Sequence, residues 1–130
     1  MPNLTKALEF GGFAFRASAG LNLHGDALTG SGAAMTDATL AANFDLICGL
    51  DAEGVSRFYF GMRENSGYLF RVDKPDNTVS LWRIESGVYT CLGERACAVG
   101  DGARNVRIRV SDGIAAVYFE DNRADTSPYP

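Results

Sequence analysis

Histidine is almost absent from this 130-residue chain, which carries only His24. A serine or cysteine nucleophile would have one imidazole to rely on. His24 lies in a Gly-rich stretch with no G-x-S-x-G elbow anywhere in the chain, so it reads as a turn or solvent residue. Cysteine is scarce as well, with three residues, and no CxxC or His-x-His spacing offers a metal a ligand set. Cys91 and Cys97 flank Gly93 closely enough to suggest a small disulfide-closed loop. The alternative is three reduced thiols packed as small apolar side chains. Neither G-x-x-x-x-G-K-[ST] nor G-x-G-x-x-G occurs, which removes the common phosphate cradles.

Clustered positive charge is also missing. Lys and Arg total 12 against 16 Asp and Glu, for a net charge of −4, and the arginines are scattered, as at Arg107 and Arg109. A nucleic-acid partner is not expected, because displacing phosphate counterions calls for a basic stripe. No apolar run approaches the ~18–20 residues a membrane-spanning helix needs, so no membrane partner is expected either. The start, Met1-Pro2-Asn3-Leu4-Thr5-Lys6, has no apolar segment behind its lysine and does not read as a signal peptide. These residues suit a cytoplasmic protein, or a domain excised from a longer secreted enzyme. The ending Ser127-Pro128-Tyr129-Pro130 reads as such an excision, or as a strand completed by another segment.

What is present points to β-structure. Apolar residues make up 46% and charged residues 22% of the chain, an ordinary balance for a globular protein. Eight Phe and five Tyr favour strands, and 15 Gly supply turns. Residues 1–10 read as a helical turn or as a leader into the first strand. From Phe13 a period of two dominates. Phe13 and Phe15 alternate with Ala14 and Arg16, and Leu21 and Leu23 with Asn22 and His24. Residues 25–40 read as loop with one short edge strand. Phe44, Leu46 and Cys48 oppose Asp45, Ile47 and Gly49. Phe58, Phe60 and Met62 oppose Arg57, Tyr59, Gly61 and Arg63. Further strands are expected at 67–73, 78–84, 88–92, 106–110 and 114–120. Turns are expected at 51–54, 65–67, 74–77, 85–87 and Asp121-Asn122, and Asp112-Gly113 is the strongest two-residue hairpin signal. Strands at such short spacing, with no helical period, predict an all-β antiparallel sandwich or jelly roll. No repeat and no Pro/Ser linker divides the chain, so one domain spanning 1–130 is expected.

Most of the acids fall in turns, where they cap backbone amides or stay in water. Asp45 and Asp73 lie in or at the end of strands. A glycosidase needs two carboxylates roughly 5 Å or 6.5–9.5 Å apart across a sugar, and nothing in the spacing demands such a pair, so no catalytic residue is assigned. A sugar-binding face instead needs aromatic rings with hydroxyl-pairing polar groups beside them. If 56–63, 67–73 and 78–84 are consecutive antiparallel strands, then Tyr59, Arg57, Arg63, Arg71 and Trp82 share one surface with Ser80. Two other readings stay open: Trp82 and Ile84 in the core beneath a solvated arginine face, or the whole face docked on a neighbouring domain.

The run GYLFRVDKPDNTVSLWRIESGVYTCL resembles a strand–turn–strand of concanavalin A-like sandwiches. The entry strand Ala42-Asn43-Phe44-Asp45-Leu46 suits a laminin-G or concanavalin-type sandwich as well. The run NVRIRVSDGIAAVYFEDNRADTSPYP is similar to the closing segment of the β-sandwich that follows the catalytic propeller in glycoside hydrolase family 32, the β-fructosidases. The matching pieces are Val106 to Val110, Asp112-Gly113, Val117 to Phe119, Asp121-Asn122 and Thr126 to Pro130. The resemblance implies a non-catalytic accessory or carbohydrate-binding sandwich, fructan-directed and joined to a catalytic propeller in the same chain. That family's Asn-Asp-Pro-Asn, Arg-Asp-Pro and Glu-Cys motifs are absent, so no catalytic residue carries over. No cofactor is implied; a structural calcium among the turn acids is conceivable but not indicated. The rivals are a small concanavalin-like glycosidase using Asp45 or Asp73, and a protein-interaction sandwich.

Overall fold

The computed structural model describes residues 4–10, 13–24, 27–30, 32–36, 43–120 and 122–128. Among them every regular element is a strand, so no helix is long and apolar enough to cross a membrane. The chain forms two compact units, Met1–Leu40 and Ala41–Pro130.

In the first unit, β1 (Leu4–Phe10), β2 (Phe13–Ser18) and β5 (Ala34–Met35) form an antiparallel sheet, while β3 (Leu21–His24) and β4 (Ala27–Gly30) make a hairpin. Residues 4–10, open between helical turn and leader in sequence, are a full strand whose register against β2 runs from Leu4–Ser18 to Phe10–Phe13. His24 ends β3, exposed. Part of the 25–40 stretch, including Ser31 and residues 37–40, lies outside the described residues, as does Asp121 of the expected Asp121-Asn122 turn.

The second unit is a sandwich of two four-stranded antiparallel sheets. One has the order β10-β9-β8-β7, built from β7 (Val55–Arg63), β8 (Ser66–Asp73), β9 (Thr78–Glu85) and β10 (Val88–Ala96). The other has the order β13-β12-β11-β6, from β6 (Phe44–Leu50), β11 (Arg104–Ser111), β12 (Ile114–Phe119) and β13 (Asn122–Pro128). One apolar layer fills the space between them. Phe60, Tyr68, Phe70, Val72, Val79 and Leu81 come from the first sheet, and Val106, Ile108, Val110, Val117 and Phe119 from the second. Each large side chain removed from water contributes roughly 1.5–3 kcal/mol, which makes this layer the chief source of stability.

Alternation does most of the positioning. In β8, where both faces carry apolar residues, Tyr68, Phe70 and Val72 enter the core, leaving Leu69, Arg71 and Asp73 on the outer face. In β9, Val79 and Leu81 point in, and Ser80, Trp82 and Ile84 point out. Two-residue turns lock the registers. At Ser86-Gly87 and Asp112-Gly113 both residues have positive φ, 49° and 81° and then 53° and 76°, the conformation that matches hairpin twist. The β7–β8 turn is tighter than the sequence suggests: Glu64-Asn65 alone makes it, and Ser66 and Gly67 already belong to β8. The β8–β9 turn at residues 74–77 is held by Asp73, whose carboxylate accepts the Asp76 N–H at 3.0 Å.

Candidate functional site

The outer face of the β10-β9-β8-β7 sheet carries the aromatic and cationic side chains singled out in the sequence. Cross-strand register aligns them in rows. Tyr59 stands opposite Leu69, which stands opposite Trp82, which stands opposite Cys91. In the next row Arg57 is opposite Arg71, and Arg71 opposite Ser80. Arg57, Tyr59, Leu69, Arg71, Trp82 and Tyr89 line a shallow open groove of about 560 Å³. That volume falls within the range of roughly 300–1,000 Å³ common for small-ligand sites.

The groove has a defined floor and one closed end. Leu69 and Ile84 are 3% and 2% exposed although they point away from the core. Tyr59 lies opposite Leu69 on one edge strand, and Tyr89 opposite Ile84 on the other. The hydroxyls of the two tyrosines share a hydrogen bond. Since neighbouring strands lie about 4.8 Å apart, the phenols must lean inward across both central strands to meet. Burial, and next this hydrogen bond, push the Tyr59 hydroxyl above the usual phenol range, so it stays protonated through neutral pH. About half of each ring remains open, 48% for Tyr59 and 49% for Tyr89.

Trp82 is half-buried, and its indole N–H donates to the buried Ser80 hydroxyl at 2.8 Å. That bond fixes the ring orientation and uses the indole's only donor. Arg71 is held by Asp73, Nη2 to Oδ2 at 2.9 Å. Among the described residues Arg57 forms no ion pair with a carboxylate. Like charges placed directly across a strand pair are unfavourable, and here they share one rim of the groove.

Four of the five residues proposed from sequence, Arg57, Tyr59, Arg71 and Trp82, line this groove; Arg63 does not. A bulge between Phe60 and Arg63, with Gly61 at φ 60°, slips the register by one residue and pairs Arg63 with Ser66. The slip turns Arg63 to the face opposite Tyr59, because one added residue inverts the alternation. Trp82 and Ile84 lie on the outer face, outside the apolar cluster between the sheets; Trp82 is half-buried there and Ile84 is buried. Sequence reasoning missed Leu69 and Tyr89. Tyr89 was legible in principle, since a two-residue Ser86-Gly87 turn fixes it opposite Ile84; a three-residue turn at 85–87 leaves that register open.

The two strand carboxylates do not form a pair. Asp45 sits on the other sheet, gripped by Arg107 through Nε to Oδ1 at 2.7 Å and Nη2 to Oδ2. Asp73 is buried against Arg71. The hydrogen bond from Arg107 holds Asp45 below the ordinary carboxylate range despite some desolvation, the reverse of what a general acid needs. All three cysteines are free thiols, Cys91 exposed and Cys48 and Cys97 partly buried. No group of three or more His, Cys, Asp or Glu side chains that could hold a metal ion occurs among the described residues.

With this arrangement in hand, the class of molecule is an antiparallel β-sandwich with an aromatic and arginine-lined groove on one outer sheet face. Comparison with known proteins agrees on the fold. The chain is similar in structure to the carbohydrate binding module CBM66 from Bacillus subtilis, with a TM-score of 0.71 at 13% identity, over 88% of this chain and 78% of that one. No protein-family model matches the sequence, and no curated protein matches it.

Proposed function

We propose that this chain is a carbohydrate-binding β-sandwich that takes sugar in the groove between Tyr59, Trp82 and Arg71. The observation that carries the reading is the fixed Trp82 ring beside two half-open tyrosines. Flat apolar surface of this kind suits the C–H face of a sugar ring, and adjacent guanidinium groups suit its hydroxyls. The fold shared with a carbohydrate binding module supports the same reading. The finer form is an accessory domain of a glycoside hydrolase, fructan-directed and carried beside a catalytic propeller. It rests on the likeness of the closing strands, Val106 to Pro130, to the sandwich of the β-fructosidases.

Affinity electrophoresis through gels containing levan, inulin, xylan, laminarin or polygalacturonate tests the general form. The chain should be retarded by at least one polymer. Trp82→Ala should weaken that retention about tenfold or more, the effect of removing a central aromatic anchor worth about 1.4 kcal/mol. Tyr59→Ala should weaken it less, because half of that ring already faces water. Unchanged mobility in every gel removes the carbohydrate reading and favours a protein-interaction sandwich. A preference for levan or inulin, together with a propeller encoded in the same reading frame, supports the fructan-directed form.

A further inference from the structure

We propose that the sugar this groove selects is an acidic one, its negative substituent held between Arg57 and Arg71. The inference rests on the general carbohydrate reading above, narrows it, and is the rival of its fructan-directed form. The chain is acidic overall, with a net charge of −4, yet the groove lining contains two guanidinium groups and no carboxylate. The two arginines are direct cross-strand partners, so their Cβ atoms stand about 5 Å apart with like charges abreast. A sandwich that needed only solubility on this face would gain by placing an acid at one of these positions. Arg71 spends one nitrogen on Asp73, and its fork has five N–H groups in all. Arg57 spends none on a carboxylate among the described residues.

An anion placed over this pair neutralises the repulsion and accepts charge-assisted hydrogen bonds from two forks, the geometry that suits carboxylate or sulfate oxygens. In the adjoining row, Tyr59 and Trp82 stand to either side of Leu69. A sugar ring whose acidic substituent reaches the arginines is thereby set against aromatic surface. A uronic acid and a sulfated sugar share this chemistry.

The test compares binding of the full chain to polygalacturonate and to its methyl-esterified form, with dextran sulfate and unmodified dextran as a second pair. The proposal expects at least tenfold tighter binding to the charged member of one pair. The pair that discriminates identifies the substituent as carboxylate or sulfate. Arg57→Gln should abolish most of that preference, while Arg63→Gln, an equal change in net charge outside the groove, should leave it within about twofold. Equal affinity for charged and neutral members, or stronger binding to a neutral fructan, overturns the acidic-sugar inference and leaves the carbohydrate reading standing. Equal losses in the Arg57 and Arg63 variants also overturn it, since diffuse attraction would then explain the preference. Failure to bind any polysaccharide removes both.

Discussion

At the scale of single residues, charge on this molecule is spent in two different ways. On the β13-β12-β11-β6 sheet Arg107 is engaged: it grips Asp45 through Nε and Nη2 and lies 5.5 Å from the centroid of the Tyr118 ring. On the opposite outer face Arg57 is left open. The first arrangement stabilises the fold, the second is the one we propose for recognition, and pH probes the first. The folded value for Asp45 lies below 3.8, chiefly through the Arg107 hydrogen bond. The pair therefore stabilises the fold above the unfolded value, and its contribution is lost as pH falls through the lower folded one. Both side chains are about one-third exposed, so solvent screening limits the contribution to roughly 0.5–1 kcal/mol. Asp45→Asn should lower the unfolding free energy, obtained from the urea midpoint and slope, by that amount at pH 7, with the gap closing as the acid limb is reached. Midpoints at pH 7 and at pH 2.5 measure it, and a gap of equal size at both would contradict this account.

At the scale of elements, the bulge in β7 is the feature that shapes the groove's edge. Gly67, the second residue of β8, lies beneath it, opposite Ile84. A Cβ there would meet Met62 Cα at 2.9 Å and the Gly61 carbonyl oxygen at 3.0 Å, besides the Met62 sulfur. Since two of those obstacles are backbone, Gly67→Ala must displace the bulge and should cost roughly 1–3 kcal/mol. Gly49→Ala in β6, where nothing lies within 4 Å, should change stability little; equal urea midpoints for the two variants would count against the argument. The same element shows where the sequence could and could not be read. The alternation of Val106, Ile108 and Val110 and the Asp112-Gly113 turn were plain, because one buried face and a mandatory positive φ both leave marks on residue type. The inward face of β8 was ambiguous. Leu69 is as apolar as Phe70, and it is buried on the outer side, where Tyr59 and Trp82 flank it. The bulge left no mark beyond Gly61, so Arg63 was placed one pleat too far. The face that unites Arg57, Tyr59, Arg71 and Trp82 was legible because two consecutive hairpins, joining three strands, require it.

At the scale of the whole molecule, the core and the groove belong to the same unit. Every residue of the central apolar cluster, from Ala52 to Ala124, falls within Ala41–Pro130, and so do all six groove residues. Eight strands closing one such layer satisfy what a small sandwich needs, since each sheet covers the other's apolar face. A chain of residues 41–130 should consequently fold without the first unit. It should give a β-type circular dichroism spectrum, one cooperative urea transition, and the same polysaccharide retention and Trp82→Ala effect as the full chain. Tests of this size are sensitive, because a domain near 90 residues has only about 5–10 kcal/mol of stability in total. The loss of a few contacts would broaden or lower the transition, whereas the loss of a sheet would abolish it. A fragment with collapsed amide dispersion and no transition would show that residues 1–40 complete the core. The groove would then be a property of the full chain and not of the sandwich.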